Sequence, residues 1–264
     1  MPFHQAGGVR YYYFERLAQA GILHAVVTRH GGVSPEPWRS LNVGGTVGDD
    51  AGRVRENRQR TFRALDRPFE SLFDVWQVHG TEVVCAQAPR PPDQAHQKAD
   101  AILTDRPEVT LFMRFADCVP ILLFDPRKKV VGLVHAGWLG TVQHIAAAAV
   151  RAMQACYGSR PQDILAGIGP SIGAHHYEVG SEVVDRVRAA FGSDAPMLLA
   201  SSNGSSSEGR ALLDLWAANQ LSLQRAGVCQ IEVAGICTAC CVEDWYSHRG
   251  EKGQTGRFGA LIGL

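Results

Sequence analysis

Asp117-Cys118-Val119-Pro120-Ile121-Leu122-Leu123-Phe124-Asp125-Pro126-Arg127-Lys128-Lys129-Val130-Val131-Gly132-Leu133-Val134-His135 consists of two apolar runs of strand length joined by Asp-Pro-Arg-Lys. Proline at the second position of such a four-residue connection suits a type I turn, so the stretch reads as a β-hairpin. With Asp125 opposite Lys128, counting back along both strands places Cys118 directly opposite His135. Side chains paired in that way have Cβ atoms roughly 4.5–5.5 Å apart.

Outward from the hairpin the chain carries further runs of strand type. Residues 101–104 and 109–115 precede it, and 164–168, 231–236 and 258–262 follow it. Residues 73–79 and 83–86 suggest two short strands around Gly80-Thr81, and residues 10–30 suggest early strands leading into Thr28-Arg29-His30-Gly31-Gly32. Helices are expected after Asp49-Asp50, where Val54, Asn57, Arg58, Phe62 and Leu65 fall at helical spacing, and over 141–157, 179–191 and 212–226. Residues 201–208 read as a flexible Ser/Gly segment. Clustered strands with interspersed helices, lacking regular βαβ alternation, predict an α+β class of mixed β-sheets with flanking helices. No repeat with a period of roughly 20–50 residues is visible.

Bulk properties narrow the function classes. Hydrophobic residues make up 45% and charged residues 20% of the 264 positions, and 26 basic side chains balance 26 acidic ones. A net charge of zero without a Lys/Arg block argues against a nucleic-acid partner and for a small molecule. The N-terminal MPFHQAGGVRYYYFERL lacks the features of a signal peptide, and no apolar stretch approaches the roughly 20 residues that span a bilayer. Seven scattered cysteines do not resemble a secreted disulfide framework. The expectation is a cytoplasmic protein with no membrane association; the sequence leaves its oligomeric state open.

A thiolate and an imidazole placed as Cys118 and His135 can share one Zn²⁺, with bonds of about 2.3 Å to sulfur and 2.0–2.1 Å to nitrogen. A third protein ligand would leave the fourth tetrahedral position open, which is the arrangement of a catalytic site. His79, before a glycine, is the best third candidate, although a single histidine is more often structural. Cys237-x-x-Cys240-Cys241 raises the possibility of a second metal or a redox pair. Without a second ligand pair at suitable spacing it reads as packing.

Gln77-Val78-His79-Gly80, Ala116-Asp117-Cys118-Val119-Pro120 and Val134-His135-Ala136-Gly137-Trp138 together resemble the signatures of the laccase-domain family, also called multicopper polyphenol oxidase-like or purine nucleoside phosphorylase. Further matches run in order through Thr28 to Ser34, Ser40-Leu41-Asn42, Glu56-Asn57-Arg58, Gly169 to Gly173, Tyr177-Glu178-Val179-Gly180, Asp214-Leu215-Trp216 and Thr255-Gly256-Arg257-Phe258. The resemblance implies one domain over residues 1–264 in which His79, Cys118 and His135 bind zinc. It also implies phosphorolysis of adenosine, inosine and methylthioadenosine, and deamination of adenosine, with a purine nucleoside and phosphate as partners. Copper is the alternative metal, but one three-ligand site is too few for a multicopper mechanism, so zinc is preferred.

Arg29, Ser40, Asn42, Arg249 and Arg257 are candidate phosphate or ribose contacts, because guanidinium forks match phosphate oxygens; each could equally be structural. Asp117 could carry a proton or orient a metal-bound histidine, or simply cap a turn. Trp138 could stack on a purine or pack in the core. Against the family pattern, Leu139 stands where arginine is usual, Phe115 where threonine is common, and His175-His176 where a Cys-Cys pair is frequent. Ser247-His248-Arg249-Gly250 has only one of two adjacent arginines often found. Three other functions remain on the sequence: a copper-dependent phenol oxidase, a metal-free Cys/His hydrolase editing peptidoglycan precursors, and a non-catalytic metal-binding module.

Overall fold

A computed structural model describes residues 2–201 and 209–264, so all but the first residue of the expected Ser/Gly segment at 201–208 lies outside the described residues. The first sheet takes β1 (Phe3–Ala6), β2 (Val9–Tyr12), β3 (Leu23–Val27), β4 (Leu72–Phe73), β7 (Thr110–Phe115) and β15 (Phe258–Gly263) in the order β1-β2-β3-β15-β7-β4. The second takes β5 (Val83–Cys85), β6 (Ala101–Thr104), β8 (Val119–Asp125), β9 (Val130–Ala136), β10 (Leu165–Ile168) and β14 (Gln230–Val233) in the order β14-β10-β8-β9-β6-β5. A small antiparallel sheet joins β11 (Glu178–Val179), β13 (Ala211–Leu213) and β12 (Leu199–Ser201). The two large sheets mix parallel and antiparallel pairs, as the clustered strands predict.

Strand periodicity explains how the sheets stack. On β8, Val119, Ile121 and Leu123 join one buried cluster while Leu122 and Phe124 join another, and on β9 Val134 and Ala136 separate likewise from Val131 and Leu133. The first face meets α4 (Ile145–Tyr157), α5 (Ser181–Phe191) and α7 (Leu215–Arg225). The second meets Leu111, Met113, Phe258, Ala260 and Ile262 of the other large sheet. That sheet turns Ala25, Val27, Phe112 and Leu261 outward against Phe62 of α2 (Ala51–Ala64). The layers therefore run helices, sheet, sheet, helix, and the hairpin strands read as unbroken apolar runs because both of their faces are covered.

Several local expectations change. Asp125 faces Val130 rather than Lys128, since its carboxylate accepts hydrogen bonds from the Arg127 and Lys128 amides and Lys129 takes a left-handed φ of 55° to close a longer loop. Pro120 is consequently the residue opposite His135, and Cys118 is its diagonal neighbour. The expected helix over 141–157 begins earlier, as α3 (Trp138–Val142), and breaks at His144 before α4. The helix over 212–226 yields its first turn to β13, because Asp214 caps α7 by accepting from the Ala217 amide. Residues 73–79 form a strand only at β4, for a reason that lies in the site below. Residues 231–236 stay extended in the sheet only to Val233. Glu15–Gln19 and Ala195–Leu198 form short helices, α1 and α6. Among the described residues no helix is long and apolar enough to cross a membrane.

β15 occupies an interior slot between β3 and β7, with Ile262 fully buried in the layer between the sheets. Ile262→Ala is expected to lower the unfolding free energy by about 2–5 kcal/mol in urea titration, the range for deleting a buried branched side chain. Met197→Ala, at a side chain left 79% exposed, should change it by less than about 0.5 kcal/mol.

Candidate metal centre and its cavity

His135 shares the strand parity of Val131 and Leu133, so its ring enters the layer between the sheets, where it packs on Phe115 at a ring separation of 5.4 Å. Immediately across lies Asp100, fully buried at the start of β6, whose Oδ1 is 2.8 Å from His135 Nδ1. The same carboxylate accepts hydrogen bonds from the backbone amides of Val78, His79 and Gly80 at 3.1, 3.0 and 2.7 Å. Wrapping three successive amides around one carboxylate turns the chain out of extended geometry and puts His79 at φ 60°. That is why 73–79 cannot continue as a strand. Burial pushes the Asp100 carboxyl up, but the bonds from His135 and the amides outweigh it and hold it below its usual range.

With His135 Nδ1 engaged by a carboxylate, its Nε2 is left as the ligand atom, the usual arrangement behind a metal-binding histidine. The His79 and His135 rings meet edge to face at 4.8 Å, and Cys118 Sγ lies 3.9 Å from His79 Nε2. One donor atom from each of His79, Cys118 and His135 falls within 4.8 Å of the others. A tetrahedral zinc ion would hold a sulfur and a nitrogen ligand about 3.6 Å apart, so the three donors fit such an ion after small movements. Gly137 makes this approach possible: a Cβ there would sit 2.8 Å from His79 Cδ2 and 3.1 Å from Cys118 Sγ.

Burial, helped by the nearby Asp117 charge and opposed by Arg257, pushes the Cys118 thiol up to about 12. Without a metal cation nearby the thiol is therefore protonated at neutral pH. Burial also lowers the pKa of His135, which Asp100 only partly restores, so that ring is neutral and ready to coordinate at neutral pH.

The three donors open onto a cavity of about 690 Å³. Four arginines line it, Arg58, Arg114, Arg249 and Arg257, together with the aromatic faces of Trp76 and Tyr177. Arg114 donates to Asp74 Oδ2 at 2.9 Å, Arg90 to Oδ1 at 2.8 Å, and Arg58 lies 3.7 Å from Oδ2. Burial alone would raise the Asp74 pKa; Arg114, Arg58, His96 and Arg90 reverse that and hold it low. Three guanidiniums around one carboxylate leave an excess of positive charge, and burial draws the Arg114 pKa down only to about 10. The group stays cationic at neutral pH.

Of the residues singled out from the sequence, His79, Cys118, His135, Asp117, Arg249 and Arg257 line this cavity. Arg29, Ser40 and Asn42 do not. Arg29 donates to the carbonyls of Arg39 and Val242 and to Glu251. Ser40 bonds the Arg29 carbonyl and the Gly32 amide, while Asn42 is fully buried and ties Gly44, Asp49 and Arg257 together. These three brace the loop beside the cavity.

Asp117 holds neither histidine: its oxygens accept from Thr238, Ser247 and the Arg249 amide, anchoring the segment that carries Arg249. Trp138 packs against the helical core and Leu139 does not line the cavity. Asp100, Asp74 and Arg114 escaped the sequence reading, and Arg58 entered it only as a helix and motif residue, not as a site residue. The signal for each was a charged residue set within an apolar pattern, Arg114 inside an apolar strand and Arg58 on the buried stripe of a helix.

The family profile described as "Multi-copper polyphenol oxidoreductase laccase" matches residues 23–264. The purine nucleoside phosphorylase of Deinococcus radiodurans is 41% identical over 249 residues, 94% of this chain and 92% of that protein. Purine nucleoside phosphorylase YlmD of Geobacillus stearothermophilus is 38% identical, over 92% of this chain and 90% of that one. The crystal structure of Bacillus licheniformis hypothetical protein YfiH superposes with a TM-score of 0.90 at 34% identity, covering 100% of this chain and 99% of the other. The resemblance read from the sequence motifs holds over almost the whole chain, and the protein belongs to the laccase-domain family.

Proposed function

We propose that the protein is a zinc-dependent purine nucleoside phosphorylase of the cytoplasm that also deaminates adenosine, acting on adenosine, inosine and methylthioadenosine. The observation that carries this reading is that soft metal donors and an excess of guanidinium charge line the same cavity. Relatives named purine nucleoside phosphorylase support it over nine-tenths of the chain. Seven unpaired thiols suit a reducing compartment.

In phosphorolysis an oxygen of inorganic phosphate bonds to C1′ of the ribose while the C1′–N9 bond breaks. The electron pair leaves with the purine, whose nitrogen takes up the proton given up by the attacking hydrogenphosphate, giving ribose 1-phosphate and the free base. Arg58 and Arg114, held in place by Asp74, would seat the phosphate, since each guanidinium has five N–H donors and keeps some free after its protein contacts. Trp76 and Tyr177 offer faces for the purine. His79, Cys118 and His135 would hold zinc, which supplies Lewis acidity and lowers the pKa of water toward about 7. Asp100 would keep His135 Nε2 directed at the ion, and burial, which keeps the Cys118 thiol protonated when no metal cation is near, argues against its acting as a metal-free nucleophile.

Metal-analysed protein incubated with adenosine and phosphate is expected to release free base and ribose 1-phosphate, with inosine as the deamination product. Cys118→Ala should lose the zinc held at this cavity together with the turnover. Oxygen consumption with a phenol and no purine product would overturn the reading in favour of an oxidase. Arg58→Gln should raise KM for phosphate roughly 10–100-fold, the loss of a charge-assisted hydrogen bond, while moving KM for the nucleoside far less; equal effects on both would remove Arg58 from the phosphate site.

Because binding at this cavity must displace the Cys118 proton, zinc affinity there should rise about tenfold per unit between pH 7 and 8.5. Calorimetry on Cys240→Ser protein in buffers of differing ionisation enthalpy should show about one proton released per ion bound at this cavity, and a flat pH profile would exclude thiolate coordination there.

A further inference from the structure

β10 and β14 are parallel neighbours, with Ile168 opposite Val233. They leave the sheet at the same end, and the loops that follow stay side by side. Ser171 bridges to Cys237, the Ser171 amide donates to the Ile236 carbonyl, and the Thr238 amide donates back to the Ser171 carbonyl. The first loop then makes a tight turn at Ala174–His176, and the second carries Cys237 and Cys240. The ligand pair whose absence made Cys-x-x-Cys uninformative in the sequence is therefore supplied from about 60 residues upstream, across a parallel strand pair that sequence spacing does not reveal.

We propose that His175, His176, Cys237 and Cys240 form a second metal centre, closed by four protein ligands and suited to zinc. One donor atom from each lies within 4.8 Å of all the others. His175 Nε2 is 3.0 Å from Cys240 Sγ, and the two histidine rings are 4.7 Å apart. Two sulfurs and two imidazoles at such separations make the Cys₂His₂ set of structural zinc sites, with ligand atoms about 3.3–3.8 Å apart when the ion is tetrahedral.

The Gly173 amide also donates to Cys237 Sγ at 3.2 Å, the kind of outer hydrogen bond that stabilises a coordinated thiolate. Gly173 has to be a glycine for this approach, since a Cβ would lie 2.7 Å from the His175 ring and 3.3 Å from the Cys237 Cβ. His175, His176 and Cys240 are exposed and Cys237 is buried, so the ion would reach the cluster from solvent and be gripped from below.

The placement gives the centre a purpose. Tyr177 follows the histidine turn directly, and Arg249 lies on the segment that continues from the cysteine loop; both line the cavity. The Arg249 guanidinium sits over the Tyr177 ring at 5.2 Å and donates to the Glu178 carbonyl. An ion binding the two loops would fix that wall of the cavity without touching substrate. This role does not depend on which reaction the cavity performs.

Zinc counted per chain in reduced, gel-filtered protein should be about two equivalents, falling to about one in Cys240→Ser, in His175→Ala and in Cys118→Ala. Cobalt added to metal-depleted Cys118→Ala protein should retain a thiolate-to-cobalt band and tetrahedral visible absorption, which Cys240→Ser in the same background abolishes. The Cys118→Ala spectrum decides the matter even if Cys240→Ser proves unstable. Wild-type protein with one equivalent, all of it lost in Cys118→Ala, overturns the proposal, as does a Cys118→Ala cobalt spectrum with no thiolate band.

Discussion

A buried carboxylate cannot remain without partners, and Asp100 meets that requirement by collecting the amides of residues 78–80 and the Nδ1 proton of His135. Everything at the metal donors follows from this. The strand from β4 is cut short, His79 is turned back across the end of the inter-sheet layer, and His135 is held in one tautomer with its far nitrogen free. The two histidines come from separate segments and are registered to each other through a single anion, not through strand pairing. Without Asp100, the His79 backbone would have no reason to adopt its left-handed turn.

A second buried carboxylate plays the opposite electrostatic role. Asp74 is outnumbered by its cations, and the surplus charge of Arg58 and Arg114 is directed toward the cavity instead of being cancelled. The two anions divide the labour of the cavity wall, one orienting the His79 and His135 side and the other holding guanidinium cations in fixed positions. Rigid placement matters because a guanidinium already held in position loses less freedom on binding than one free at the surface.

The hairpin, the mixed sheets and the helix after Asp50 were legible because each is a local pattern: alternating or continuous apolar runs, or a capping aspartate. The hairpin register was two residues off, since an aspartate that hydrogen-bonds its own turn lengthens the loop without any change in hydrophobic pattern. That shift preserves strand parity, so Cys118 and His135 still converge. Arg29, Ser40 and Asn42 stood in a motif-rich stretch, and the structure spends them on loop bracing. The Cys237/Cys240 pair shows the reverse limit, because its neighbours His175 and His176 arrive through parallel strand pairing, which leaves no trace in spacing.

The interior position of β15 has a consequence for biosynthesis. Residues 258–263 follow every other strand of their sheet in the chain, yet they separate β3 from β7. During vectorial synthesis the partly made sheet must wait with two unpaired edges facing an empty slot, while the apolar layer that houses His135 stays open on that side. Such edges are templates for pairing with other chains. The nascent protein is therefore most vulnerable to aggregation just before its last described strand emerges, and the ligand set can become rigid only after that strand has been inserted.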